Sequence, residues 1–372
     1  MVKKTHLIAV IAVVAVVLVA AIAVALNPDL SGNQEQEPET REIVDMAGRT
    51  VTVPTEINRV VAVCSGCLRV LTYMDAADLI CGVEEFESDP TGRPYAMAHP
   101  EYASLPVIGP GHGGDAELIA AENPDVIFCS DARSPDFDAI QEQTGIPVVC
   151  IVYGGLDTPE EIQTFYDGLT LVGEVLHKED RATEVINYFS DIIDDLDSRT
   201  SDIPDSEKLS VYIGGLSAGG KHGIVSTNAY YAPFTLTNSK NVITDEMVDG
   251  STSVVSIDAE IIPSLNPDII FIDYYGLSLC QEDVVAHADV YGSLDAIKNN
   301  CTYGLIGYNW YHLNYGMVLS DAYYVGKVLY PDQFSDVDPE QKADEIYDFL
   351  VGASCYDELA ELYAPFGPVS LR

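Results

Sequence analysis

Asp115-Ala-Glu-Leu-Ile-Ala-Ala-Glu-Asn-Pro-Asp-Val-Ile-Phe128 recurs 143 residues later as Asp258-Ala-Glu-Ile-Ile-Pro-Ser-Leu-Asn-Pro-Asp-Ile-Ile-Phe271. Both copies read D-A-E-[LI]-I, three variable residues, then N-P-D-[VI]-I-F. Asp115 and Asp258 are placed to cap a helix N-terminus. Glu117 and Glu260 then fall in the first turn, where a carboxylate meets the positive end of the helix dipole. Asn-Pro closes each short helix, because the residue before a proline leaves the helical region. The β-branched and aromatic run that follows reads as a buried strand. One helix–turn–strand unit used twice predicts two similar α/β lobes instead of one continuous domain.

Working outward, Val60–Cys64, Leu79–Val83, Val126–Phe128 and Pro147–Val152 read as strands of the first lobe, with a helix over Leu68–Ala76. Leu209–Ile213 and Ile269–Ile272 are strands of the second, which ends in helices near 314–330 and 338–350. Between them, Pro159 to about Arg199 has almost no helix breakers. Val185, Ile186, Phe189, Ile192, Ile193 and Leu196 share one face of that run, as helical spacing requires. The expected architecture is α/β, two lobes joined by one long helix acting as a stiff spine, with a cleft between the lobes. Residues 42–157 form the first lobe, 158–204 the linking helices and 205–372 the second lobe.

The N-terminus sets the compartment. Lys3 and Lys4 precede an uncharged apolar run, Leu7–Leu26, long enough to span a bilayer as a helix. The two lysines favour an N-in orientation, leaving the rest of the chain outside the cytoplasm. The segment 1–26 is either an uncleaved anchor or a signal cut after Ala23-Val24-Ala25. Residues 27–41 are polar and read as a tether.

The chain has 372 residues, 18 Lys plus Arg against 59 Asp plus Glu, and a net charge of −41. The apolar share, 47%, excludes a disordered or collagen-like chain. Nucleic acid is excluded as a partner, since phosphate binding needs clustered cations. An anionic membrane surface is excluded on the same ground. A small anionic ligand is not, because a pocket needs only a few basic groups. The eight cysteines are spaced irregularly over a long chain, which is not a disulfide scaffold. Cys129 and Cys150 sit in strand-like apolar runs and read as buried thiols.

The opening "REIVDMAGRTVTVPTEINRVVAV", with "LRVLTYMDAADLICGV", "LPVIGPGHGGDAELIAAENPDVIF" and "SIDAEIIPSLNPDIIFI", resembles the iron-complex and cobalamin substrate-binding proteins of ABC importers. The resemblance runs over about residues 42–350. It implies an extracytoplasmic receptor, not an enzyme, with no resident cofactor. Its partners would be an ABC permease with its ATPase and a small-molecule metal complex. It also implies that one glutamate per lobe, here Glu117 and Glu260, docks into basic pockets of the permease. An iron chelate is the first expectation for the ligand, corrinoid or haem the second, and molybdate or tungstate the third.

Ligands of α/β lobes meet the loops at the carboxyl ends of the strands. In the first lobe those loops carry Cys64, Ser65, Cys67, Arg69, His112, Arg133 and Tyr153. In the second they carry Lys221, His222, Tyr231, Tyr275, Trp310 and Tyr311. Of 22 tyrosines, 17 lie from residue 188 onward, a bias that supplies flat apolar surface with polar tips. Most of them are expected in the core. Arg69, Arg93, Arg133 and Lys221 are candidates to pair with ligand carboxylates or an oxyanion, or else with the many acids of the chain. His112 and His222, one per lobe, are weak candidates to clamp a metal.

Cys64-x-x-Cys67 after a strand resembles a redox pair, which keeps an exported thiol or metal oxidoreductase as a lesser alternative. An anchored sensor domain working without a permease is a third reading. Gly215-Leu-Ser-Ala-Gly-Gly-Lys221-His222 fails as a phosphate loop, because His222 replaces the hydroxyl residue.

Overall fold

A computed structural model describes residues 39–132 and 134–372. The apolar run 7–26, most of the tether and Arg133 lie outside the described residues. Among the described residues, no helix is long and apolar enough to cross a membrane.

The described residues open with a two-stranded sheet, β1 (Thr40–Val44) and β2 (Thr50–Pro54). A four-stranded sheet follows, built from β3 (Val60–Val63), β4 (Ile80–Gly82), β5 (Val126–Ser130) and β6 (Val148–Ile151). Its order is β4-β3-β5-β6 and all its pairs are parallel. The later sheet contains β7 (Ser210–Gly214), β9 (Lys240–Asn241), β11 (Ile269–Asp273), β12 (Thr302–Leu305) and β13 (Gly367–Pro368). Its order is β13-β12-β11-β7-β9, parallel except for the β12–β13 pair. A small antiparallel pair, β8 (Ser226–Thr227) with β10 (Val255–Ser256), stands apart.

Alternation along the strands explains why both faces of each large sheet are covered, as parallel sheets require. Val60, Ala62, Val126 and Phe128 face a core that also takes Val211, Ile213, Ile269 and Phe271. Val61, Val63 and Ile127 face a separate cluster. Tyr212, Ile270 and Ile272 face a third. The largest cluster therefore draws on both large sheets.

The helices that matter for the site are α1 (Cys67–Tyr73), α2 (Ala116–Ala121), α3 (Pro159–Leu176), α4 (Glu179–Thr200), α5 (Ile261–Leu265), α6 (Tyr315–Leu329) and α7 (Pro339–Val351). The helical run expected to be continuous from 159 to about 199 is two helices. His177 takes the left-handed conformation (φ 54°), and Lys178 N–H closes α3 by donating to Gly173 O at 2.8 Å. The lack of breakers hid this stop, because a histidine supplies it. A Cβ on Gly173 would lie 2.8 Å from Ala182 Cβ, so glycine lets α3 and α4 approach closely. The Arg41 guanidinium satisfies the last carbonyls of α3, at Glu174 and Val175. On α4, Val185, Phe189, Ile192 and Leu196 are buried, the face read from the sequence.

The repeated unit folds alike in both copies with one difference. Asp115 Oδ1 accepts from Glu117 N–H at 3.0 Å, and Asp258 Oδ1 accepts from Glu260 N–H at 3.0 Å. Asn123 and Asn266 are both left-handed and end their helices. The first helix starts at Ala116, whereas the second starts only at Ile261. Glu260 thus lies in the turn before α5, not in its first turn. Pro263 explains the delay, since it has no N–H to bond back to Ala259 O.

Candidate functional site

Loop 306–314 leaves the end of β12 and reaches the strand-end loops of the first sheet. Tyr311 (φ 51°) and His312 (φ 72°) are both left-handed, which folds the loop back on itself. Buried Asn314 holds that shape, with Nδ2 donating to Tyr308 O at 2.9 Å and Trp310 O at 3.1 Å.

Arg69 is the anchor. It sits on α1, not in a loop, and is fully buried. Nε donates to Asn314 Oδ1 at 3.0 Å. Nη1 donates to Tyr153 Oη at 2.5 Å and Leu313 O at 2.6 Å. Nη2 donates to Trp310 O at 3.2 Å and Tyr311 O at 3.1 Å. These five bonds use the five N–H groups that a guanidinium has. The expectation that Arg69 pairs with a ligand is corrected accordingly, for this side chain fastens the 310–314 loop. Tyr153 serves the same contact, donating to Leu313 O at 2.8 Å and lying 4.2 Å, centroid to centroid, from the His312 ring. Burial, with Arg69 and His112 nearby, pulls the His312 pKa down to about 4, so this imidazole is neutral at pH 7.

Glu84 is a second tie, absent from the candidates drawn from sequence. Its carboxylate is buried just past β4. Oε1 accepts from Cys64 N–H at 3.1 Å and Gly113 N–H at 2.7 Å. Oε2 accepts from the Tyr311 hydroxyl at 2.5 Å, and that hydroxyl accepts from His112 N–H at 3.0 Å. Burial raises the Glu84 pKa, while the donors from Tyr311, Gly113 and Cys64 oppose the rise. The signal that points to Glu84 is its place at a strand's carboxyl end, the rule used for the other candidates.

Around these ties lies an aromatic rim. Phe86 stacks on Tyr311 at 4.1 Å, and Tyr275 meets Trp310 edge-on at 5.1 Å. The Lys221 ammonium lies 4.9 Å from the centre of the Tyr275 ring. Tyr275 and Trp310 are half-buried and Lys221 is exposed. His222 Nε2 lies 3.1 Å from Ala218 O within its own loop, and His112 stands beside Tyr311. Among the described residues, no group of three or more His, Cys, Asp or Glu converges as a metal site.

Other candidates lie elsewhere. Tyr231 is buried against Phe234 and Tyr308. Arg93 is buried and paired with Glu87 at 2.6 Å. Ser65 is buried, its carbonyl accepting from Ser130 Oγ at 2.9 Å. Cys64 and Cys67 are buried in different apolar clusters, which argues against the redox-pair reading. Glu117 and Glu260 are both exposed.

The model of a family described as "periplasmic binding protein" matches residues 60–306. The chain is 23% identical over 332 residues to the molybdate-binding protein MolA of Haemophilus influenzae, covering 82% of this chain and 90% of that one. It is 22% identical over 273 residues to the petrobactin-binding protein YclQ of Bacillus subtilis, covering 70% and 78%. Its fold is that of a periplasmic solute binding protein from Veillonella parvula, with a TM-score of 0.68, 20% identity and coverage of 87% and 97%.

Proposed function

The chain belongs to the periplasmic binding protein family, and on that premise we propose that it is the solute receptor of an ABC importer that carries an iron chelate or a related metal complex. In this reading the two large sheets belong to two lobes, and α4 is the spine between them. The ligand cleft opens beside the 306–314 loop. Glu117 and Glu260, exposed at matching places in the repeated unit, dock on the permease. The run 7–26 directs or anchors the protein outside the cytoplasm.

One observation carries the choice of ligand. The side chains left accessible at the rim are Phe86, Trp310 and Tyr275 with the Lys221 ammonium, while Arg69 and Arg93 are buried in internal pairs. Flat rings beside a single cation suit a large chelate with aromatic or anionic donors. A bare oxyanion asks instead for convergent donors. The resemblance to MolA nevertheless supports a second reading, molybdate, with His112, Lys221 and backbone N–H groups as its donors.

Thermal unfolding with ferric siderophores, haem, cobalamin, molybdate and tungstate separates these readings. A ligand at about a hundred times its Kd stabilises by roughly 2.7 kcal/mol. The proposal expects a rise with a ferric chelate that Trp310→Ala reduces. A rise with molybdate alone selects the second reading, and no rise with any of them sinks both.

A further inference from the structure

We propose that Cys64 and Cys129 are a disulfide-forming pair that locks the first sheet's central strand end. Their sulfurs lie 3.8 Å apart, both side chains are buried, and both belong to one apolar cluster. The strands that carry them are neighbours. Val63 is in register with Cys129, so Cys64 is one residue past the paired position. With strands about 4.8 Å apart and a rise of about 3.3 Å per residue, a one-residue offset puts the two Cα atoms roughly 6 Å apart, inside the roughly 4.4–6.8 Å that a disulfide accepts. Small side-chain rotations then bring the sulfurs to bonding distance.

The backbone favours this partner over the one the sequence suggests. Cys64 is left-handed (φ 68°), as is Gly66 (φ 85°), and the turn between them starts α1 at Cys67. That turn sends Cys67 into the cluster shared by both large sheets, while Cys64 joins Cys129 on the other face. The C-x-x-C spacing therefore pairs neither cysteine with the other. Cys64 N–H is also one of the donors that fix Glu84, so a bond here immobilises one support of the Tyr311 contact.

The chemistry is thiol–disulfide exchange with a small or protein disulfide as oxidant. One cysteine thiolate attacks the oxidant and expels a thiolate. The second attacks the mixed disulfide and expels the other. Two protein thiols become one disulfide, the oxidant gains two electrons, and the two protons go to the departing thiolates. Burial shields both sulfurs in the folded chain, so the bond forms during folding and afterwards resists reductants.

The test uses the full-length chain in mild detergent, refolded from the reduced, denatured state in a glutathione redox buffer. It is then denatured and alkylated without reduction. The expected result is six alkylated cysteines out of eight, with a peptide pair joining Cys64 to Cys129 that is seen without reduction and disappears on adding a thiol. Cys67→Ser should keep that link and show five alkylations. Cys64→Ser and Cys129→Ser should each show seven. Eight alkylations in the parent overturn the proposal, as does a link between any other pair, Cys64 to Cys67 included. The readout needs no ligand and no permease, so it stands apart from the transport reading.

Discussion

The Tyr311 hydroxyl donates to Glu84 Oε2 at 2.5 Å, joining residues 227 positions apart. The other carboxylate oxygen takes N–H groups from Cys64 and Gly113. One buried charge thus gathers three separate loops. Tyr311→Phe removes the donor to Oε2 and the acceptor of His112 N–H together. Leaving such a charge short of a partner costs about 2 kcal/mol. Urea unfolding should show a loss of that size; an unchanged midpoint would mean water replaces the hydroxyl.

Arg69 carries a larger share. Arg69→Lys keeps the charge but offers three donors on one nitrogen where five were used in a planar fork. Carbonyls of the 310–314 loop then lose partners inside the protein. The variant should unfold about 3 kcal/mol more easily, in line with breaking a buried charged network. Proteolysis should also cut first within 309–314. A variant as stable as the parent would show that the loop holds itself.

Stability should fall as pH rises through neutrality. Burial lifts the Asp273 pKa to about 7, despite N–H donors from Tyr275 and Ser217. Burial, with Glu161 nearby, lifts Asp157 to about 7 as well. Both stand above the value near 3.9 of an unfolded aspartate. Their contribution is therefore complete below about pH 4 and is lost as pH climbs through 7. Asp273→Asn keeps an acceptor for Tyr275 N–H and removes the charge. At pH 8 it should raise stability by a few kcal/mol at most, on the order of one pKa unit per 1.4 kcal/mol. At pH 4, near the unfolded pKa, it should change little. Thermal midpoints at the two values decide, and a parent curve flat from pH 5 to 8 would refute the assignment.

Glu117→Lys with Glu260→Lys should leave ligand affinity within about twofold, because both side chains are exposed on the repeated helix–turn–strand unit and are not among the side chains that build the rim. Uptake through the cognate permease should drop at least tenfold, the size of coupling lost when charged partners become like-charged. Uptake at the parental rate would remove docking from the account. Lower affinity with unchanged uptake per bound ligand would move these residues to the ligand site.

Local patterns made much of this molecule legible. The strands at 60, 80, 126, 148, 210 and 269 lie where β-branched runs were read, and the repeated Asp-Ala-Glu unit makes the same 3.0 Å Asp-to-Glu N–H bond in both copies, capping α2 in the first and holding the turn before α5 in the second. Failures also have local causes. The stop at His177 needed a left-handed histidine, and the late start of α5 came from Pro263. The candidate site was legible as loops but not as roles. Lys221, Tyr275, Trp310 and Tyr311 adjoin one another, whereas Tyr231 belongs to the core and Glu84 was overlooked.

The sequence by itself determined the α/β alternation, the duplication, the acidic surface and the family. The alternation depends on residues a few positions apart, where periodicity, caps and breakers act, and the other three are read from residue identities alone, without knowing which of them meet in space. Only the tertiary structure decided that Arg69 is consumed by Asn314, Tyr153 and the 310–313 carbonyls. It alone set Cys64 beside Cys129 and Glu84 under Tyr311. Those outcomes rest on burial and on hydrogen bonds between distant segments. A buried polar group must find partners wherever packing brings them, and no spacing along the chain records where that will be.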